Sequence, residues 1–272
     1  MAKRHMMLLF GSFNPVHRGH TALAEYAIEQ GLCDAVAMII SPQNPFKQNM
    51  TLAAEMDRYT MVEMACKNTR YPEQIHASVV EFLLEKPSYT INTLRYLQQN
   101  NGHEMRFSIL MGSDLINTLT EWRETEEIIR DYDIYVYPRP GVEMTYTTPR
   151  TTFLADAPQC DFSSTDVRNR LESGDDVSRM LDGEVIKYIR QRGLWSVEGK
   201  IERLSQLIEQ QTATAQDYIE RGKYYYRKNE WGKAINDFRR AEELNAGNVE
   251  AEQFRRMVEE ILEYRYKDIY NP

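Results

Sequence analysis

Short continuous apolar runs alternate with helix-spaced apolar patterns over the first two thirds of the chain. The runs at 6–10 and 35–40 predict buried strands, because strands covered on both faces are apolar throughout. Further strands are predicted at 106–111, 134–137 and 151–154, and helices at 19–30, 52–66, 90–99, 164–171 and 182–192. This alternation predicts an α/β fold with a doubly wound parallel sheet, in which ligands bind beyond the carboxyl ends of the strands.

The pattern changes near Ser196. Beyond this point the chain is rich in Glu, Arg, Lys, Gln, Tyr and Ala with long-period apolar spacing, which is typical of helices. All five histidines, all three cysteines and all but the last of the ten prolines precede it. We therefore predict two domains, an α/β domain at 1–196 and a small all-α domain at 197–272.

Composition excludes several classes of protein. With 42% hydrophobic and 27% charged residues, the 272-residue chain is neither collagen-like nor wholly disordered. Its apolar runs are far shorter than the ~18 residues that span a membrane, and the net charge of −8 argues against a broad nucleic-acid surface. The odd number of widely spaced cysteines fits neither a disulfide framework nor a metal motif. We expect reduced thiols in a cytoplasmic protein, no metal site, and no nucleic-acid or membrane partner.

The strongest chemical signal is the string Gly-Ser-Phe-Asn-Pro-Val-His-Arg-Gly-His at 11–20, which directly follows the first predicted strand. Gly11 permits a close approach of the backbone to a ligand. Gly19 and His20 lie near the start of the predicted helix, where free N–H groups and the helix dipole favour phosphate. His17 and His20 are three residues apart, so both imidazoles are able to face one spot. The alternative is a tight strand–helix turn with incidental histidines.

This string resembles the HxGH signature of the nucleotidylyltransferase superfamily, whose members transfer a nucleotidyl group from ATP to an acceptor and release pyrophosphate. Other stretches resemble motifs of the nicotinate-nucleotide adenylyltransferases, bacterial enzymes that make deamido-NAD. These stretches are Ser-Pro-Gln-Asn-Pro-Phe-Lys at 41–47, Ser-Tyr-Thr-Ile-Asn-Thr-Leu at 88–94, Met-Gly-Ser-Asp at 111–114 with Leu119 and Trp122, Pro-Arg-Pro-Gly at 138–141, and Phe-Ser-Ser-Thr-Asp-Val-Arg at 162–168. The resemblance extends from residue 6 to about residue 195 and implies a Rossmann-like fold.

The resemblance implies that ATP and nicotinate mononucleotide are the substrates, with Mg²⁺ carried mainly by ATP oxygens and water. Phosphoryl-type transfer requires alignment and charge neutralisation more than covalent help. The residues implied to be catalytic are His17, His20 and Arg168. Those implied to bind ATP are Gly11, Ser12, Phe13, Lys47, Gly112, Asp114, Ser163, Ser164 and Thr165. Those implied to bind the acceptor are Thr90, Trp122, Arg123 and Arg139, with Trp122 stacking on the pyridine ring and backbone N–H groups near Thr90 and Arg123 receiving the nicotinate carboxylate.

Several assignments have alternatives. Trp122 is either a stacking platform or a buried structural residue. Asp114 either contacts the adenosine ribose or caps a helix together with Ser113, and Arg139 either reaches phosphate or is solvated. Asn14 stands where the family commonly has an acid, which bears on the identity of the acceptor. The rival functions are adenylyl transfer to another acceptor, such as nicotinamide mononucleotide or a pantetheine phosphate, and nucleotide sensing by an interaction protein.

The last domain carries the spacing of a tetratricopeptide repeat at 213–246. The residues at the repeat's marker positions are Tyr218, Gly222, Tyr225, Trp231, Ala234, Phe238 and Ala241. A further helix is predicted at 249–266. Because a single repeat is normally too small to stand alone, we expect it to lean on the α/β domain, on a helix at 201–210 or on another subunit. Its role is either binding of a protein partner or self-association, or else purely structural.

Overall fold

The computed structural model describes residues 3–42 and 52–270. The first part of the chain contains a six-stranded sheet in the order β3-β2-β1-β4-β5-β6, with every neighbouring pair parallel. The strands are β1 (Arg4–Gly11), β2 (Ala35–Ile40), β3 (Ile75–Ser78), β4 (Met105–Gly112), β5 (Asp133–Tyr137) and β6 (Thr151–Phe153). The predicted doubly wound parallel sheet is confirmed.

β1 lies at the point where the strand order reverses. Its residue Met6 pairs with Ala35 of β2 on one side and with Phe107 of β4 on the other. In an open parallel sheet the chain leaves two such neighbouring strands in opposite directions, which opens a crevice at their carboxyl ends. The motif at 11–20 begins at the carboxyl end of β1, so the fold places it at this crevice.

The helices of this first part flank the sheet. They are α1 (Arg18–Glu29), α2 (Glu55–Lys67), α3 (Thr90–Asn101), α4 (Ser113–Ile116), α5 (Thr125–Asp131), α6 (Ser164–Ser173) and α7 (Gly183–Gln191). Short 3-10 turns lie at Val80–Leu83 and Leu119–Glu121. Every residue of β2 is buried, as its continuous apolar run predicts for a strand covered on both faces.

The structure corrects three details of the prediction. β3 and α5 were not predicted, because β3 is a four-residue edge strand without an apolar run and α5 is only seven residues long. The helix predicted at 52–66 begins later, at Glu55. The reason is a tertiary contact: the Ala53 amide donates to Asn14 Oδ1 at 2.9 Å, and Ala54 has an extended ψ of 144°.

The chain divides into two compact units, one of residues up to 171 with 175–188, the other of residues 172–174 with those from 189 onward. The second unit is helical. It contains α8 (Val197–Glu209), α9 (Ala215–Arg227), α10 (Trp231–Leu244) and α11 (Val249–Tyr270). In the part of the chain that the structure describes, no helix combines the length and the apolar character needed to cross a bilayer.

The second unit packs as the small residues of the repeat pattern predict. Gly222 of α9 lies against the ring of Phe238 of α10, so closely that a Cβ at Gly222 would be 2.7 Å from Phe238 Cε1. Arg221 makes a bidentate ion pair with Asp237, in which Nε and Nη2 donate to the two carboxylate oxygens at 2.8 and 2.7 Å. Its remaining nitrogen, Nη1, donates to Ser205 Oγ of α8 at 2.8 Å. The predicted repeat therefore rests on the preceding helix α8 as well as on α11.

Candidate active site

The loop that follows β1 is folded tightly around Phe13. This residue is buried and has a φ of 44°, in the left-handed region that side chains other than glycine rarely adopt. Its ring covers Gly11, where an added Cβ would lie 2.9 Å from Phe13 Cζ. Gly11 is required because the aromatic ring leaves no room for a side chain, and Phe13 shapes the loop from inside.

Asn14 ties this loop to two other segments. Its side-chain oxygen accepts the Ala53 amide hydrogen at 2.9 Å, and its main-chain oxygen accepts a hydrogen bond from Arg168 at 2.8 Å. Because the side-chain oxygen serves as an acceptor, asparagine supplies the contact that an aspartate at this position would also supply.

The two histidines of the motif stack on each other. His17 occupies the N-cap position of α1 with an extended backbone, and its ring lies 3.7 Å, centroid to centroid, from that of His20. The His17 amide donates to His20 Nδ1 at 3.1 Å. Since Nδ1 accepts this hydrogen bond, the neutral His20 ring carries its proton on Nε2. His20 Nε2–H is thereby defined as a hydrogen-bond donor.

His17 is neutral at pH 7. Burial, together with the positive charge of Arg139, lowers its pKa to about 4, although Asp166 opposes the shift. His17 Nδ1 is buried and has no hydrogen-bond partner among the described residues. Such an atom is costly unless a ligand or water supplies the missing partner, so His17 is prepared to meet a ligand.

The motif at 162–168 is brought to the same loop by α6. Arg168 donates to the Asn14 carbonyl at 2.8 Å and to Thr165 Oγ1 at 3.0 Å, and the Ser164 hydroxyl donates to the Pro15 carbonyl at 2.9 Å. Ser163 and Asp166 exchange hydrogen bonds at the start of the helix. Burial lowers the pKa of Arg168, but an arginine remains charged at neutral pH.

A third set of predicted site residues lies where β4 and β5 end. Ser113 Oγ accepts the Arg139 amide hydrogen at 3.0 Å, and the Arg139 guanidinium lies 3.7 Å from Asp114 Oδ1. Gly112 is the N-cap residue of α4, so the alternative of Asp114 as a helix cap is wrong. A Cβ at Gly112 would lie 2.3 Å from Asp114 Oδ1 and 2.8 Å from Arg139 Cγ, so a larger residue there would displace these two side chains.

A cavity of about 640 Å³ opens beside this cluster. Its wall includes Gly11 and Asp114 as well as Thr90, Trp122 and Arg123. Two of the residues implied to bind ATP thus share a cavity with three of those implied to bind the acceptor. The cavity has the size of a ligand site.

An aromatic residue and a helix start both contribute to the cavity wall. Trp122 is half-buried, packs against the hydrophobic core and also lines the cavity. Thr90 is the first residue of α3, whose first-turn N–H groups lack helical partners. The Arg123 guanidinium lies 4.9 Å from the centre of the Tyr89 ring.

Two residues of the site, Arg58 and Glu81, were missed from the sequence, and Ser88 was noted only as part of the motif at 88–94. Arg58 is fully buried and donates to the Ser12 and Ser41 carbonyls at 2.8 and 2.7 Å, which joins the loops after β1 and β2. Glu81 and Ser88 are buried in the cavity wall. The signal for Glu81 is a single acid within the apolar run 79–84. Lys47, by contrast, was predicted and lies outside the described residues.

Two carboxylates of the site motifs are engaged by other groups. Asp166 accepts hydrogen bonds at the start of α6, and Asp114 faces Arg139. Within residues 3–42 and 52–270, no three His, Cys, Asp or Glu side chains are grouped in a way that would hold a metal ion. The donors of this site are imidazole, guanidinium and helix-terminal N–H groups, which suit phosphate oxygens.

Comparison with known proteins adds independent information. The model of a family described as cytidylyltransferase-like matches residues 8–170. A probable nicotinate-nucleotide adenylyltransferase of Cytophaga hutchinsonii is 36% identical over 190 residues, which cover 70% of this chain and 97% of the relative. One of Bacteroides fragilis is 38% identical over 193 residues, which cover 71% and 94%.

The fold is also found among solved structures. The Plasmodium falciparum nicotinic acid mononucleotide adenylyltransferase complexed with NaAD superposes with a TM-score of 0.60 at 16% identity, over 71% of this chain and 97% of that one. At this level of identity the likeness concerns the fold.

Proposed function

We propose that this chain, which belongs to the cytidylyltransferase-like family and to its nicotinate-nucleotide adenylyltransferases, transfers the adenylyl group of ATP to nicotinate mononucleotide. The products are deamido-NAD and pyrophosphate. The observation that carries the proposal is the shared cavity, in which Gly11 of the histidine motif faces the same space as Thr90 and Trp122.

In the proposed reaction an oxygen of the acceptor's 5′-phosphate attacks the α-phosphorus of ATP. The bond between that phosphorus and the bridging oxygen of the β-phosphate breaks, and pyrophosphate leaves. The protein aligns the two phosphates and offsets the developing negative charge. The stacked rings of His17 and His20, the latter through its Nε2–H, are assigned to the α- and β-phosphates.

The β- and γ-phosphates are assigned to the start of α6. Arg168 is held against the Asn14 carbonyl, and Ser164 and Thr165 open the helix, where the dipole favours an anion. Arg139 adds a second positive charge near His17. Lys47 keeps its predicted role as a further point charge for phosphate.

Mg²⁺ fits this proposal as an ion bound by the phosphate oxygens of ATP and by water. Mg²⁺ commonly retains several waters and binds through substrate phosphates rather than through a protein cage. Asp166 accepts a hydrogen bond from Ser163, and Asp114 lies against Arg139. The ion supplies charge neutralisation on the leaving pyrophosphate.

The acceptor is assigned to the other side of the cavity. Trp122 offers a face on which a pyridine ring stacks, and the first-turn N–H groups of α3 at Thr90 favour a carboxylate. Arg123 contributes positive charge next to them. The nicotinate form of the acceptor carries a carboxylate that its nicotinamide counterpart lacks, so this side of the cavity favours nicotinate.

We assign catalysis to residues 1–196 and treat residues 197–272 as a helical domain for self-association or a protein partner. The relatives from Cytophaga and Bacteroides align over 97% and 94% of their length and leave the rest of this chain unmatched, which supports the assignment. Truncation after Ser196 is expected to retain adenylyl transfer. Loss of transfer by a truncated chain that remains folded would contradict it.

The reaction is tested with ATP labelled at the α-phosphate, Mg²⁺ and nicotinate mononucleotide. The label is expected in a dinucleotide that coelutes with deamido-NAD, and Arg168→Ala is expected to slow its formation. A label that remains in ATP with the wild-type chain would refute the proposal. Glu126→Gln, a change at an exposed acid of α5 away from the cavity wall, is the matched control.

A further inference from the structure

We propose that Ser113 is a positioning residue for adenylyl transfer: its buried hydroxyl holds the turn at 139–142 in place and thereby fixes where the Arg139 guanidinium lies. The inference rests on the proposed function, in which Arg139 adds positive charge near His17. It assigns a role to a buried hydroxyl that the proposed function leaves unused.

Residues 139–142 form a tight turn soon after β5. The Val142 amide donates to the Arg139 carbonyl at 3.0 Å, and Gly141 has a φ of 75°. Proline at the second position of a turn and glycine at the third, as in Pro140 and Gly141, are the preferences of a type II turn. The hydrogen bond within the turn leaves two main-chain groups at its ends, the Arg139 amide and the Val142 carbonyl, for other partners.

The Ser113 hydroxyl bonds to both of these groups. Its Oγ accepts the Arg139 amide hydrogen at 3.0 Å and donates to the Val142 carbonyl at 3.1 Å. Ser113 is 1% exposed, and the N-cap position of α4 belongs to Gly112, so this hydroxyl serves the turn and not the helix. A hydroxyl accepts and donates at once. It therefore joins both ends of the turn, where an alanine methyl group would join neither.

The turn determines the course of the Arg139 side chain. Its stem passes over Gly112, where an added Cβ would lie 2.8 Å from Arg139 Cγ. The guanidinium lies 3.7 Å from Asp114 Oδ1, and its charge reaches His17, whose pKa it helps to lower. A long side chain has many rotamers, so these contacts confine the charge to one place.

A fixed charge is worth more to phosphoryl-type transfer than a mobile one. Groups that stabilise developing charge act in full only when they need no rearrangement during the reaction. The Arg139 side chain is 38% exposed, so its guanidinium is free to turn towards water once the turn at 139–142 is released. Ser113 thus acts on the reaction through Arg139 and needs no contact with the substrates.

Asn117 holds the same segment at its far end and provides a structural comparison. Its side-chain nitrogen donates to the Glu143 carbonyl at 2.7 Å, and its side-chain oxygen accepts the Thr145 amide hydrogen at 2.7 Å. These hydrogen bonds do not involve Arg139. Asn117→Ala therefore loosens the segment as Ser113→Ala does, but leaves the turn at 139–142 attached.

The test is a double-mutant cycle on the full-length protein with ATP, Mg²⁺ and nicotinate mononucleotide. It comprises Ser113→Ala, Arg139→Ala and the double variant, with Asn117→Ala as the matched control. Ser113→Cys, whose thiol is a weak hydrogen-bonding group, takes the place of Ser113→Ala if the alanine variant does not fold. The values of kcat and of KM for both substrates are determined, and melting temperatures report on folding.

Arg139→Ala is expected to lower kcat/KM about 10²-fold, as the removal of one charge-stabilising donor does. Ser113→Ala is expected to lower it about tenfold and to divide the loss between kcat and KM in the same proportion as Arg139→Ala. In the Arg139→Ala background the serine substitution should change kcat/KM by less than about twofold, because a residue that acts only through Arg139 has no effect without it. Asn117→Ala should keep kcat/KM within about threefold of the wild type, whatever its melting temperature.

Three results would overturn the inference while the proposed function stands. One is an equal loss from Ser113→Ala in the presence and in the absence of Arg139. Another is a folded Ser113→Ala protein with the kcat and KM of the wild type. The third is an Asn117→Ala protein that loses as much activity as Ser113→Ala, which would make the serine a structural residue only. A wild-type protein that does not turn over nicotinate mononucleotide would overturn both the proposed function and the inference.

Discussion

The buried neutral state of His17 makes the stability of the protein depend on pH in a defined way. The pKa of His17 is lowered from 6.5 to about 4 in the folded protein, mainly by burial. In the unfolded chain the ring is exposed and titrates near its ordinary value. Between these two values the unfolded chain binds more protons than the folded one, so the free energy of unfolding decreases as the pH falls.

The magnitude follows from the size of the shift. Between about pH 7.5 and about pH 4.5 the contribution of His17 amounts to about 2.5 kcal/mol, and most of it is lost below about pH 6. His17→Asn removes the titration. Asparagine is a preferred N-cap residue, so it suits the position that His17 occupies at the start of α1.

The assay is urea unfolding of both proteins, followed by circular dichroism over this pH range. The stability of the wild type is expected to fall more steeply than that of His17→Asn as the pH is lowered, by about 2.5 kcal/mol in total. Other titrating groups, including His5, whose pKa is also lowered by burial, are common to both proteins and cancel in the difference. Parallel curves for the two proteins would refute the assignment of a buried neutral His17.

Three further predictions address catalysis, acceptor binding and the helical unit. His20→Ala is expected to lower kcat about 10²–10³-fold without loss of circular dichroism signal, because a charge-stabilising donor is removed; a loss of less than about threefold would contradict its role. Trp122→Ala is expected to raise the KM for the acceptor more than that for ATP in steady-state assays. Gly222→Ala is expected to destabilise the helical unit by about 1–3 kcal/mol in thermal unfolding, because the new methyl group collides with Phe238. Gly232→Ala, in α10 with open space around it, is the matched control and should stabilise the unit slightly.

The sheet was predictable from the sequence because its central strands are continuous apolar runs. β2 is the clearest example, since all its residues are buried. The two helices of the repeat pattern were also predictable, because small residues such as Gly222 mark close helix contacts. β3 was not, since a short edge strand with one neighbouring strand carries too few apolar residues for a pattern.

The residues of the candidate site were predictable only where they lie together in one short sequence motif. His17 and His20 lie in one string, and the structure stacks them as their spacing allows. Arg58 and Glu81 act through contacts with residues distant in sequence, such as the hydrogen bond from Arg58 to the Ser12 carbonyl. No local spacing encodes such contacts. Glu81 in particular becomes meaningful only when the fold brings it into the cavity wall beside Thr93.

The acceptor assignment is the central claim, and it is tested most directly by pyrophosphate release with competing acceptors. The full-length protein is assayed with ATP and Mg²⁺ against nicotinate mononucleotide, nicotinamide mononucleotide and phosphopantetheine. Because the start of α3 and Arg123 favour a carboxylate, kcat/KM is expected to be at least about tenfold higher for the nicotinate form than for the nicotinamide form. Phosphopantetheine should be used poorly or not at all. Equal use of the two pyridine nucleotides, or no turnover with any acceptor, would contradict the claim.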